Sequence, residues 1–282
     1  MAVKLVIESS SDIDSKEAEL LGVTMLPIPI TFGEEEFMDG VNITREEFYQ
    51  KLVKCSGLPK TSMINAFRFE EVFEKHVKNG DEVVAIVLSS GLSGTCNAAK
   101  TAAENFKDKV YVVDSLSATA GIKLLVEYAL MLIKEGKTAE EIFNILEEKK
   151  NKLQVRAMVD TLKYLKKGGR VSPLVAFAGE LMGIKPMVAV VDGKVEVIGK
   201  VIGLKKAIKY INTEVEKVGG IDFNMPFYAL YSGNDQTKID NYIAENAPMW
   251  DCGVENVRKN CIGATIGTHV GPGAIGIVFF SK

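Results

Sequence analysis

Residues 83–98, VVAIVLSSGLSGTCNA, place a short β-branched apolar run directly before a cluster of hydroxyls and glycines, and then a helical pattern. An unbroken apolar run of this length reads as a strand buried on both faces, which requires a sheet covered by helices. Strand 83–88 ends at Ser89, Ser90 and Gly91, and a helix opens near Ser93, Gly94 and Thr95. In an open α/β sheet this junction is the usual place for a ligand. The free N–H groups of a first helical turn attract an anion, and Ser and Thr hydroxyls add neutral donors. The same groups also serve as an ordinary N-cap, so local pattern alone leaves cap and anion site as equal readings.

The rest of the first half repeats the strand–helix alternation. Residues 4–7 and 110–113 read as further buried strands, and 15–21 as a short helix. Residues 23–32 form an extended run that Pro27 and Pro29 confine to an edge. Thr44 with Glu47, and Thr138 with Glu141, have capping-box spacing and open helices to about residues 54 and 153. Asn65 caps a helix with Phe69, Phe73, His76 and Val77 at helical spacing, and 117–134 is a helix with a broad apolar face. Residues 56–62 read as a loop. This half is expected to form a mostly parallel sheet flanked by helices.

The second half reads differently. Strands at 155–159, 187–191 and 194–198, the last two flanking the hairpin signal Asp192-Gly193, point to a mixed or antiparallel sheet. Strands are expected also at 226–231 and 275–280, with 254–266 strand-rich. Helices are expected at 161–167, from Arg170 to about 181, at 204–218 and at 237–246. The expected fold is thus α/β in two domains, 1–155 and 156–282, with a ligand slot between them.

Composition excludes several functions. The net charge of −3 gives no nucleic-acid footprint. The most apolar long stretch, 121–133, contains Lys123 and Glu127 and is too short to span a bilayer. Cys55, Cys96, Cys252 and Cys261 form no CxxC pair and fit a reducing cytoplasm. With two distant histidines, a metal site is not expected. No GxxxxGK[ST] occurs, so the chain is not expected to bind ATP itself. Gly271-x-Gly273-x-x-Gly276 matches a dinucleotide fingerprint but runs into a strand instead of a helix, and is discounted.

Four places remain as site candidates. Ser93, Gly94 and Thr95 form the first; Thr95 occupies the second glycine position of a nucleophile elbow, which weakens a hydrolase reading. Thr61 and Ser62 are a second hydroxyl cluster before a helix. His269 lies in what reads as a Gly-rich turn, where backbone and ligand approach closely. Arg170, after Gly168 and Gly169, could meet a phosphate or an acidic partner.

Taken together and in order, PKTS at 59–62, SSGLSGT at 89–95, VDS at 113–115, DTLKYLKKGGRVS at 160–172, IKP at 184–186 and GTHVGPGAIG at 267–276 resemble the bacterial DegV family. The resemblance implies a two-domain α/β protein that holds a long-chain fatty acid such as palmitate between its domains. Some members are similar to the lipid-carrying subunit of a bacterial fatty acid kinase, in which a separate kinase subunit phosphorylates the presented carboxylate. Carried over to this chain, Thr61 and Ser93 bind the carboxylate with His269 beside them, and Ser62, Gly94 and Thr95 support the head group. Arg170 then faces the kinase or the phosphate. No cofactor is implied, and a lipid cargo admits transient contact with a membrane surface. The sequence departs from the family at Glu8, where a shorter acid is usual, and at Ile202 and Leu204, where arginines are frequent. A small-molecule kinase, a serine hydrolase using Ser93, and an interaction protein with an empty cleft are the competing readings.

Overall fold

The computed structural model describes residues 2–171 and 183–282. The first part runs β1 (Val3–Glu8), α1 (Ser15–Leu21), β2 (Thr24–Leu26), β3 (Pro29–Phe32), β4 (Glu35–Met38), α2 (Arg45–Lys54), β5 (Lys60–Thr61), α3 (Ala66–Lys78), β6 (Glu82–Val87), α4 (Thr95–Ala103), β7 (Val110–Asp114), α5 (Ala120–Lys134) and α6 (Ala139–Lys149). The second runs β8 (Leu153–Met158), α7 (Lys163–Lys167), β9 (Ile184–Val191), β10 (Lys194–Ile202), α8 (Leu204–Lys217), β11 (Tyr228–Tyr231), α9 (Thr237–Glu245), β12 (Lys259–Cys261), α10 (Ala264–Val270) and β13 (Ile275–Phe280).

Two main sheets organise these elements, as the alternation predicts. The first is parallel, in the order β2-β1-β6-β7. The second has the order β10-β9-β8-β13-β11-β12 and is antiparallel except for β11 with β12. Strand β6 explains its own unbroken apolar run. Val83, Ala85 and Val87 pack on one face with residues of α3 and α4, whereas Val84 and Ile86 join a second core on the other face. That second core contains Leu124, Leu125 and Val126 of α5 together with Val278 and Phe280 of β13. Helix α5 is therefore sandwiched between the two sheets, which is why it is apolar nearly all round. A further core under α8 and α9 covers the far face of the second sheet. Arg258 joins the layers at the rim: its guanidinium pairs with Glu127 of α5 at 2.9 Å and lies 4.2 Å over the Tyr228 ring.

The capping signals form as read. Thr44 and Thr138 both make complete capping boxes, and Asn65 accepts from the N–H of Arg68. Several expectations need correction. The extended run 23–32 is not one strand. It breaks after Leu26, so that β2 joins the parallel sheet while β3 pairs with β4 and β5 in a separate three-stranded sheet. Within the expected loop 56–62, Lys60 and Thr61 form the short edge strand of that sheet. Helix α5 starts at Ala120 and not at Ser117, because Thr119 has positive φ and donates its hydroxyl to Asp12. Residues 254–266 contain a single short strand, β12, before α10 begins. The helix expected from Arg170 to about 181 falls, from residue 172 on, outside the described residues.

Candidate functional site

A cavity of about 220 Å³ lies between the two parts of the chain. Its walls are apolar, with Ile28, Leu88, Leu92 and Ala118 from the first part and Leu165, Val195 and Ile266 from the second. Its polar lining is small: Thr61, Ser62, Ser93, Thr265, Arg170 and His269. An apolar slot with a few convergent polar groups is the usual form of a small-molecule site.

The expected site residues are brought together, with one change of setting. His269 is not in a turn but in the last turn of α10; of the glycines that suggested a turn, Gly267 lies inside that helix and Gly271 ends it. Its Nε2 is 2.9 Å from the Thr61 hydroxyl on β5. Ser93 also lines the slot, just before the start of α4, and its hydroxyl pairs with that of Thr95 at 2.9 Å and accepts from the Thr95 N–H. Thr95 is itself fully buried and does not line the slot, while Ser62 and Gly94 do. Two glycines make the approach of these groups feasible. A Cβ on Gly94 would stand 2.7 Å from the sulfur of Met63, and one on Gly168 would collide with Nδ1 of His269.

The imidazole is held neutral. Burial, followed by the nearby charge of Arg170, pushes His269 down to about 4. Its Nδ1 is buried with no partner among the described residues. An orphaned N–H is costlier than an unused acceptor, so the hydrogen belongs on Nε2. Nε2–H then donates to the Thr61 oxygen, which leaves the Thr61 hydroxyl hydrogen free to point into the slot. Arg170 enters from the wall, its Nε donating to the Leu92 carbonyl at 3.2 Å and its Nη1 to the Gly168 carbonyl. Two carbonyls thus fix the guanidinium beside the slot.

Sequence reasoning missed the polar groups that hold α10. Thr265 lines the slot four residues before His269, on the same helical face, and that spacing was the available signal. Buried carboxylates cap the segment: Asp12 accepts from the Gly263 N–H at 2.8 Å and from Asn260 at 2.6 Å, and Asp39 accepts from Thr265. Burial raises both acids above the ordinary carboxylate range. Arg45 stands against Asp12; burial alone would depress it, but the Asp12 charge keeps its guanidinium above the usual value. Glu8, the longer acid noted in the sequence, folds back on its own turn and accepts from Ser10 and from the Leu88 N–H at the end of β6. Burial pushes it up to about 7. Ile202, at the other departure, is exposed on β10, and Leu204 is half-buried at the start of α8. Among the described residues, no group of three or more metal-ligating side chains converges, and no helix is long and apolar enough to cross a membrane.

The whole architecture occurs in solved structures. A DegV family protein from Thermus thermophilus, described for its fatty acid binding, superimposes with a TM-score of 0.88 at 30% identity, covering 100% of both chains. A stearic acid-binding protein from Eubacterium ventriosum gives 0.81 at 27% identity over 100% of this chain and 99% of that one. A DegV domain-containing protein from Caldanaerobacter subterraneus is 34% identical over 281 residues, 99% of each chain. A family model described as an uncharacterised protein of the DegV family matches residues 2–282. The chain belongs to the DegV family.

Proposed function

We propose that this protein binds a long-chain fatty acid, with the tail in the apolar slot and the carboxylate between the hydroxyls of Thr61 and Ser93. The observation that carries this reading is the Thr61–His269 pair, 2.9 Å apart at the polar end of an otherwise apolar cavity. Fatty acid binding by structurally similar family members supports it. Each methylene removed from water contributes about 0.8 kcal/mol, so the tail supplies most of the affinity. The slot as it stands, about 220 Å³, is below the ~300–1,000 Å³ of typical ligand sites. Binding therefore includes parting of the apolar walls between the two domains, which change over near residue 155.

The neutral cradle suits a carrier. His269 carries no charge at neutral pH, and Arg170 is bound to carbonyls. The carboxylate oxygens stay available, and in this reading a separate kinase subunit phosphorylates them, with Arg170 facing the incoming phosphate. The thiols, all four unpaired, fit a cytoplasmic setting. A serine hydrolase is disfavoured by geometry: the Ser93 hydroxyl pairs with Thr95, and His269 with Thr61, so nucleophile and base are not partnered.

The test is mass spectrometry of lipid extracted from the purified protein, compared with Thr61→Val combined with Ser93→Ala. The wild type is expected to carry or take up a long acyl chain and the double variant to lose it. A wild type that takes up none refutes the function; undiminished retention by the double variant refutes the head-group assignment.

A further inference from the structure

The three-stranded sheet β4-β3-β5 holds helix α10 at both ends. At one edge, β5 carries Thr61, whose hydroxyl meets His269 Nε2 at 2.9 Å near the C-terminus of α10. At the other edge, β4 leads directly into Asp39, which is 4% exposed. The Asp39 Oδ2 accepts from both the N–H and the hydroxyl of Thr265, at 3.0 and 2.5 Å, in the first turn of the same helix. Thr265 and His269 are four residues apart and both line the slot. In a helix that spacing stacks them on one face, so fixing one sets the azimuth of the other. Asp39 is anchored in turn by its N–H, which donates to the Ile28 carbonyl at 3.1 Å.

We propose that Asp39 is a positioning residue for the head-group pair, setting the Thr61–His269 hydrogen bond through the rotation of α10. The proposal rests on the reading of that pair as the carboxylate end of the site. Asp12 has a different part: it holds Gly263, ahead of the helix, and does not reach the slot-facing side chain. Packing alone is the competing account, since Gly267 of α10 lies tight against Phe48 and Tyr49 of α2.

The experiment uses the full chain, nitrogen-15 labelled at histidine. Only two histidines are present, so a His76→Gln control assigns the ring signals. Asp39→Ala and Thr265→Val are expected to shift the His269 Nε2 signal and to weaken palmitate binding by about tenfold, the cost of a buried hydrogen-bonding group left unpaired. Asp39→Asn offers Thr265 the same oxygen and is expected to restore both readouts. Thr265→Val removes the hydroxyl bond and leaves the N–H bond to Asp39, so its shift is expected to be the smaller; Asp39→Leu, which fills the site and accepts neither bond, serves should Asp39→Ala fail to fold. Unchanged ring signals in the folded Asp39 variant that lacks both bonds overturn the proposal and leave packing as the cause. An Asp39→Asn protein as impaired as Asp39→Ala overturns it too, because charge and not the bond would then be acting. The ring signals need no lipid: shifted signals in a protein that takes up no palmitate support the positioning role and count against the fatty acid reading alone.

Discussion

If Thr61 and His269 work as one unit, removing either should cost as much as removing both. Thr61→Val is nearly isosteric, so the slot keeps its shape while the hydroxyl is lost. The carboxylate then lacks a charge-assisted donor, worth about 1.5–3 kcal/mol, or roughly 10- to 100-fold in Kd. His269→Ala acts one bond further away. Without the 2.9 Å hydrogen bond from Nε2, the Thr61 hydroxyl can turn its hydrogen to other acceptors, and most of the same interaction disappears. The double variant should therefore bind palmitate about as weakly as either single one, with a coupling energy of about 1.5–3 kcal/mol in a double-mutant cycle. Titration calorimetry at pH 7.5, where His269 is neutral in all proteins that retain it, measures the four affinities. Additive losses, or a Thr61→Val protein that binds like the wild type, would refute the coupled donor.

Gly168→Ala asks for no unusual backbone, since φ is −76° there. The new methyl collides with the His269 ring, so palmitate affinity should fall about tenfold or more in a calorimetric titration. Glu8 predicts a pH dependence. Its folded value of about 7 lies above the 4.5 of an exposed glutamate, so the folded state binds the extra proton between those values. Stability should fall as pH rises through that window and level off above it, by about 3 kcal/mol for this group. In urea titrations from pH 4.5 to 7.5, Glu8→Gln should show a decline smaller by that amount. Thr138→Ala removes the N-cap of α6, far from the slot, and should cost about 1 kcal/mol of stability in the same titrations without changing palmitate affinity.

The local half of this protein was legible in the chain. The β6 run announced a doubly covered strand because both of its faces are apolar, and the capping boxes at Thr44 and Thr138 formed because their bonds span only three residues. The ordered motifs pointed to the family and to Thr61, Ser93 and His269. That they meet was legible only through that resemblance, since no local pattern joins them. Thr61 and His269 are 208 positions apart, and the bond between them exists only because β5 and α10 pack together. Glycine content misplaced His269, since glycines near its helix permit close packing that no local rule anticipates. Asp12 and Asp39 gave no signal at all, because their partners, Gly263 and Thr265, lie 251 and 226 residues away. Short-range periodicity and capping chose the elements. Only the packing of one part of the chain on the other decided which hydroxyl meets which imidazole, because burial and hydrogen-bond partnership are properties of neighbours in space.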